Sequence, residues 1–294
     1  LVMAVLTGVY VIAGGYMATA VNDFIQGIIM LFGIVAVIAA VLSLNGGFTG
    51  SIAALANVSD PETNIPGVFA SFFGPDPFGL FAVVILTSLG TWGLPQMVQK
   101  FYAIKNEKAI EKGTVISTLF AVVVAGGCYF LGGFGRLFSN IIPMENGAIV
   151  GGFDSIIPTM IQQLPDILIA VVIILVLSAS MSTLSSLVLA SSSTLTLDLI
   201  KDNVVKNMSE KKQVFIMRVL IAVFILISVI IAIVQYKSSV TFIAQLMGIS
   251  WGALAGAFLA PFMYSLYSKK ITKASVMVSF IFGSGVMILN MLCK

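Results

Sequence analysis

Residues 177–199 read LSASMSTLSSLVLASSSTLTLDL. All but its last two residues belong to a run without Asp, Glu, Lys or Arg that extends from residue 167 to residue 197. A helix needs about 20 mostly apolar residues to cross a hydrocarbon core, so the run is long enough to span one. Yet it is crowded with hydroxyls. Ser178, Ser182, Ser185 and Ser186 recur at helical spacing, and Ser193 continues the same face after a gap. One reading is packing: a small, polar face lets a second helix approach, with each hydroxyl bonded back to the preceding turn. The other reading is chemical. Adjacent Ser182 and Thr183, just after Ala179, can offer two hydroxyl oxygens and a carbonyl to a dehydrated hard cation. A set of neutral oxygens suits a monovalent ion that must leave again far better than it suits calcium. Spacing alone leaves both readings open.

Outward from this segment the same character persists. Apolar residues make up 59% of the chain and charged residues 9%, whereas a soluble domain carries about 25% charged residues. Further uncharged runs occupy 1–22, 24–59, 77–99, 113–135, 219–236, 238–268 and 274–293, which gives eight candidate spans in all. Long continuous runs exclude a transmembrane barrel, whose strands would alternate over short segments. If the chain starts outside, the inner segments hold twelve Lys and Arg and the outer ones only Arg136, Lys237 and Lys294. That is a positive-inside pattern, and it puts the basic stretches around 105–112 and 201–212 on the cytoplasmic side of a multi-pass protein in the cell membrane. The acidic residues split evenly and carry no such signal.

Between the spans, Asn22, Asp23 and Gln26 predict a tight inner turn, and the Gly-, Pro- and Asn-rich segment 45–76 predicts a loop or short surface helices. The segment IKNEKAIEKG at 104–113 predicts a solvated helical turn. Asp23 reads from its position as a helix N-cap or an inner salt-bridge partner. Cys128 and Cys293 fall inside candidate spans and read as small apolar residues, not as a disulfide. With no His and no Cys cluster, a zinc or haem site lacks material. The basic residues sit at span ends, so the net charge of +3 does not point to nucleic acid.

The third span is interrupted. Ser88, Gly90, Thr91, Trp92, Gly93, Pro95 and Gln96 fall together near its middle. Proline removes an amide donor and clashes with the preceding turn, and the glycines permit an irregular backbone. A simple kink would account for this. So would an unwound segment whose freed backbone groups meet an ion, water or ligand, since bare lipid cannot satisfy them.

Three stretches together resemble the sodium:solute symporter family, which includes proline, pantothenate and sodium/glucose cotransporters. They are GGYMATAVNDFIQG at 14–27, SLGTWGLPQMVQKFYAIKN at 88–106 and LSASMSTLSSLVLASSSTLTLDL at 177–199, the last closing on Thr196-Leu197-Asp198-Leu199. The resemblance covers essentially the whole chain. It implies an all-α membrane fold of two inverted five-helix repeats, with core helices four to ten and one peripheral helix present here. Residues 1–44 would end the first repeat and 45–77 form an outer loop. Residues 78–267 would form the second repeat and 268–294 the peripheral helix. Core helices one to three would lie upstream and at least one helix downstream.

The resemblance also implies roles. Ala179, Ser182 and Thr183 would supply half of a sodium site, the other half coming from core helix one. Asp23 would lie on the ion's way to the inside. Trp92, Gly93, Thr91 and Gln96 would border the substrate, with Gln245, Ser250 and Trp251 as weaker candidates. The implied activity is sodium-coupled uptake of a small organic solute by alternating access, with sodium as coupling ion, no organic cofactor and no covalent chemistry. A monomer in the bilayer would suffice. An amino acid such as proline, pantothenate or a monocarboxylate fits as solute, and Gly93-Leu94-Pro95 with Gly135-Arg136 leans toward pantothenate. A proton-coupled or sodium-independent carrier of the same fold is the alternative. A channel would need repeated filter carbonyls or charge rings, and a sensor or membrane enzyme would need a signalling domain or clustered acids and histidines; the sequence displays neither.

Overall fold

The computed structural model describes residues 2–293 apart from 61–62, 103, 146–147, 151 and 239–242. The first element, α1 (Val2–Ser43), is one helical run with a break at Gly15, whose φ of 59° and ψ of −151° only glycine adopts cheaply. The expected turn at Asn22, Asp23 and Gln26 is thereby corrected, because all three are helical and the break lies upstream of them. Their polarity has a different cause. Gln26 is buried and Asp23 is half-buried, so they face protein where a turn would face water. Asp23 is well inside the helical run that follows Gly15, which also excludes the N-cap reading.

The short helix α2 (Gly47–Ala56) and a 3₁₀ turn at Val68–Ala70 occupy the segment expected as loop or surface helix. Helix α3 (Pro77–Ser88) starts where Pro77 needs no amide partner, and the Asp76 carboxylate accepts the Gly79 N–H at 2.9 Å. It gives way to a 3₁₀ turn at Gly90–Gly93 and then to α4 (Pro95–Phe101). Helix α5 (Glu107–Gly133) follows, then a two-residue hairpin of β1 (Met144–Glu145) and β2 (Ala148–Ile149), and the single turn and a half of α6 (Ile156–Ile161). The hydroxyl-rich segment is α7 (Asp166–Thr194), which loosens into a π-helical stretch at Leu195–Val204. The last three elements are α8 (Glu210–Ser238), α9 (Ile243–Tyr267) and α10 (Lys273–Leu292).

Among the described residues six helices are long and apolar enough to cross a membrane, against the eight spans expected. The two counts differ for physical reasons. Two expected spans run together in α1, where the helix only breaks at Gly15, and the third expected span is divided between α3 and α4. The protein is a multi-pass membrane protein of nearly all-helical architecture.

The chain forms two compact units. The first comprises residues 1–51, 112–142 and 156–240, and its centre is the pairing of α1 with α7. Ile34, Val37 and Val41 of α1 pack with Leu131 of α5, Met160 and Ile161 of α6 and Val172 of α7. A Cβ at Gly33 would stand 2.8 Å from Leu175 Cδ1, so the missing side chain lets the two helices close. A second cluster joins Ala4 and Val11 to Val188 of α7 and to Ile221 and Ile225 of α8.

The second unit comprises 52–111, 143–155 and 241–294. Here α9 packs on α10 through small residues. A Cβ at Gly256 would lie 3.1 Å from the Gly283 Cα, and Ser279 Oγ donates to the Ala257 carbonyl at 3.2 Å. Phe258 and Phe280 meet edge to face, 4.4 Å between centroids. Gly256→Leu is therefore expected to destabilise this pair by about 1–3 kcal/mol, through overpacking against backbone that cannot yield. Gly248→Ala, where nothing stands within 4 Å of the added carbon, should leave stability unchanged. Thermal melting of the two variants in detergent checks the contrast.

Candidate ion and substrate sites

Why α7 carries hydroxyls becomes clear from its bonding. Ser182 Oγ and Thr183 Oγ1 both donate to the Ala179 carbonyl, each at 3.0 Å. Spacing of three and four residues on one helix makes this convergence automatic. The result is three oxygens on one turn, with Ser182 half-buried and Thr183 exposed. In this state the hydroxyls serve the packing reading, bonded back to the preceding turn. Nothing in that bonding prevents the second role, because hydroxyl protons rotate and the oxygen lone pairs remain.

One turn further on, the structure adds a contact that spacing could not supply. Ser185 Oγ lies 3.5 Å from Asp23 Oδ1, and Ser186 Oγ lies 3.4 Å from Asp23 Oδ2. These are long hydrogen bonds, but they set a carboxylate from α1 beside two hydroxyls of α7. Ser185 Oγ also donates to the Ser182 carbonyl at 2.9 Å. Two groups of oxygens therefore follow one another along α7, one at Ala179, Ser182 and Thr183 and the next from the Ser182 carbonyl through Ser185 to Asp23. Ser185 is fully buried, and Ser178, Ser192 and Thr196 on the same segment are buried too. Gln26 Oε1, Asn22 Nδ2 and Thr196 Oγ1 are buried without a hydrogen-bond partner among the described residues. A polar atom left so in a membrane protein is costly unless water or an ion visits it. The pairing of Asp23 with Ser185 and Ser186 went unread in the sequence. The helical spacing of the serines was visible, and the identity of the helix facing them was not.

The interrupted span shows its mechanism in detail. Leu94 is extended, with φ −80° and ψ 120°, as the ring of Pro95 demands of the residue before it. Leu94 is also fully buried and anchors the break. On one side lies the 3₁₀ turn, on the other Pro95 begins α4. The turn packs against α9: a Cβ at Gly90 would lie 3.7 Å from Ala255, and one at Gly93 would lie 2.9 Å from the Leu259 backbone nitrogen. Glycine at 93 is thus required by proximity.

Around this turn the expected substrate residues differ in setting. Trp92 is 53% exposed, Thr91 and Gln96 are half-buried, and the Thr91 hydroxyl donates to the Ser88 carbonyl at 2.9 Å. Trp251 is half-buried and Ser250 exposed, with its hydroxyl bonded to the Met247 carbonyl at 3.1 Å. Both lie about one turn before Ala255, where α9 meets the break. Gln245 belongs to the first turn of α9, and its side chain lies outside the described residues. The structure thus joins the α7 oxygens to Asp23 in one unit, and the interrupted span to α9 in the other.

Residues 1–283 match the profile of the sodium:solute symporter family. The chain belongs to that family. A sodium/pantothenate symporter of Haemophilus influenzae is 28% identical over 98% of this chain and 57% of its own length. The high-affinity proline transporter PutP of Bacillus subtilis is 26% identical over 97% of this chain and 58% of its own. A sodium/proline symporter of Escherichia coli is 25% identical, covering 96% and 54%. The chain therefore spans somewhat more than half the length of these relatives, which are transporters by name.

Proposed function

We propose that the full-length protein takes up a small organic solute by coupling it to inward sodium flow. The observation that carries this reading is the pair of adjacent oxygen groups on α7, Ala179, Ser182 and Thr183 on one turn and Ser185 with the Asp23 carboxylate on the next. A dehydrated sodium ion wants several hard oxygens. Ala179, Ser182 and Thr183 offer three on one turn, and residues outside this chain would complete the shell. Asp23 then supplies the negative charge toward which the ion moves as it leaves. The solute would bind at the interrupted span, where Thr91, Trp92, Gly93 and Gln96 combine freed backbone groups with an aromatic face, and where Gln245, Ser250 and Trp251 of α9 contribute from the side.

Transport follows by alternating access between two inverted repeats, here the end of the first in residues 1–44 and the second in 78–267, with 45–77 between them and 268–294 peripheral. Sodium and solute each favour the state in which the other is bound, and that reciprocal free energy is the coupling. Each sodium that enters with the membrane potential contributes about 2.3 kcal/mol per 100 mV. The relatives named for proline and for pantothenate make these two solutes the first to test. The basic segments at 105–112 and 201–212 face the cytoplasm in this reading, which rests on the positive-inside count. A monomer without organic cofactor, performing no covalent chemistry, is sufficient for all of it.

The test is accumulation of radiolabelled proline and pantothenate in proteoliposomes holding the full-length protein. An inward sodium gradient should drive one of them above equilibrium, and choline in place of sodium should not. A second reading is favoured by one observation, the half-buried Asp23 carboxylate beside hydroxyls, since intramembrane acids also serve proton relays. Accumulation driven by a proton gradient without sodium would support that carrier instead. Asp23→Asn separates the roles further. Its amide still bonds Ser185 and Ser186, so the fold should hold, whereas the maximal uptake rate should fall roughly tenfold because the departing ion loses its countercharge. Initial rates at saturating sodium measure this.

A further inference from the structure

Beside the turn between α9 and α10 lies a half-open cleft of about 250 Å³ that the transport reading does not use. Its lining combines two chemistries. Ala260, Pro261, Ile271 and Val276 are apolar, whereas Ser268, Lys270, Ser275 and Ser279 present hydroxyls and an ammonium group. Several of the hydroxyls are already fixed. The Lys270 N–H donates to Ser268 Oγ at 3.3 Å, and Thr272 with Ser275 forms a reciprocal cap in which each side-chain oxygen accepts the other's backbone N–H at 3.2 Å. The turn is thus shaped before anything binds.

Charge gives the cavity its sign. Lys270 lines it, Lys269 and Lys273 are its neighbours in the chain, and no Asp or Glu follows Glu210 anywhere in the sequence. Neither α9 nor α10 can therefore neutralise these lysines from within. Both helices are long and apolar enough to cross the membrane, so their connection lies at its surface. A cleft that sets apolar side chains beside hydroxyls and an ammonium group, at a helix connection on the membrane surface, matches one class of ligand. We propose that this cavity holds the phosphate of an anionic phospholipid, with Lys270 as its main contact, Lys273 assisting, and an acyl chain along Ala260, Pro261 and Val276.

Native mass spectrometry of the full-length protein tests this, with phosphatidylglycerol or phosphatidylcholine added to the detergent solution. Wild type should retain phosphatidylglycerol and release phosphatidylcholine. Lys270→Gln should weaken retention about fivefold, and Lys270→Gln with Lys273→Gln more strongly, while Lys201→Gln should have no effect. Lys270 and Lys273 are exposed and Lys201 is half-buried, so none of these variants disturbs a buried core and all should keep the wild-type elution profile. Ala260→Phe fills the cavity with its charge intact, and it should also lower retention. Equal retention by Ala260→Phe would mean that diffuse charge holds the lipid, and would overturn the cavity site. Equal retention of both lipids would overturn it as well. Displacement of phosphatidylglycerol by inorganic phosphate at the same concentration would mark a free-anion site and refute the lipid assignment.

Discussion

Gly93→Val is expected to abolish solute uptake by the full-length protein. A Cβ at this position would stand 2.9 Å from the Leu259 nitrogen and 3.0 Å from its Cα. Those are backbone atoms of α9, which cannot swing aside as the end of a side chain can. The interrupted span and α9 would be pushed apart at the residues proposed to border the solute. Overpacking of this kind costs about 1–3 kcal/mol in stability, but the larger effect is geometric, because displacements on the order of 1 Å at a binding site can cost about a hundredfold in rate. Gly90→Ala provides the comparison. Its added carbon would meet only Leu86 Cδ1 at 3.4 Å and Ala255 at 3.7 Å, so uptake should stay near wild type. Initial uptake rates of the two variants, at matched membrane expression, decide the matter. Wild-type uptake by Gly93→Val would show that the break and α9 are not rigidly apposed during transport.

Ser182→Ala and Thr183→Val should each raise the sodium concentration for half-maximal uptake by roughly tenfold. Each removes one oxygen and preserves shape, and a cation left short of a ligand loses solvation worth about 1–3 kcal/mol. The packing reading of the same residues predicts a different result. Both hydroxyls merely bond back to the Ala179 carbonyl, so losing one would leave sodium dependence unchanged. Sodium titration of uptake in proteoliposomes therefore separates the two readings.

How much of this was legible in the sequence depends on whether a feature is local. The break at 90–95 was legible because proline acts on its immediate neighbour: Leu94 is extended on account of Pro95, whatever surrounds it. The turn of oxygens at Ala179, Ser182 and Thr183 was legible because helical spacing alone brings them together. The turn assigned to Asn22, Asp23 and Gln26 was misplaced because polarity has two causes. A polar residue in a membrane protein faces either water or another polar residue, and composition cannot distinguish them. Gly15 was the real signal, since its positive φ breaks α1 and leaves Asp23 inside a helix that reaches α7. That contact joins residues far apart in the chain, and no periodicity encodes it. Likewise, the requirement for glycine at 93 comes from Leu259, which only the packing of α9 reveals.

The most direct test of sodium coupling through α7 is binding of radioactive sodium to the purified full-length protein, with and without its solute. The wild type should bind sodium saturably, and solute should tighten that binding by the same factor by which sodium tightens solute binding. The Ser182→Ala/Thr183→Val double variant should lose most of the saturable sodium while keeping the wild-type melting temperature. Undiminished, solute-sensitive sodium binding in that variant would contradict the account.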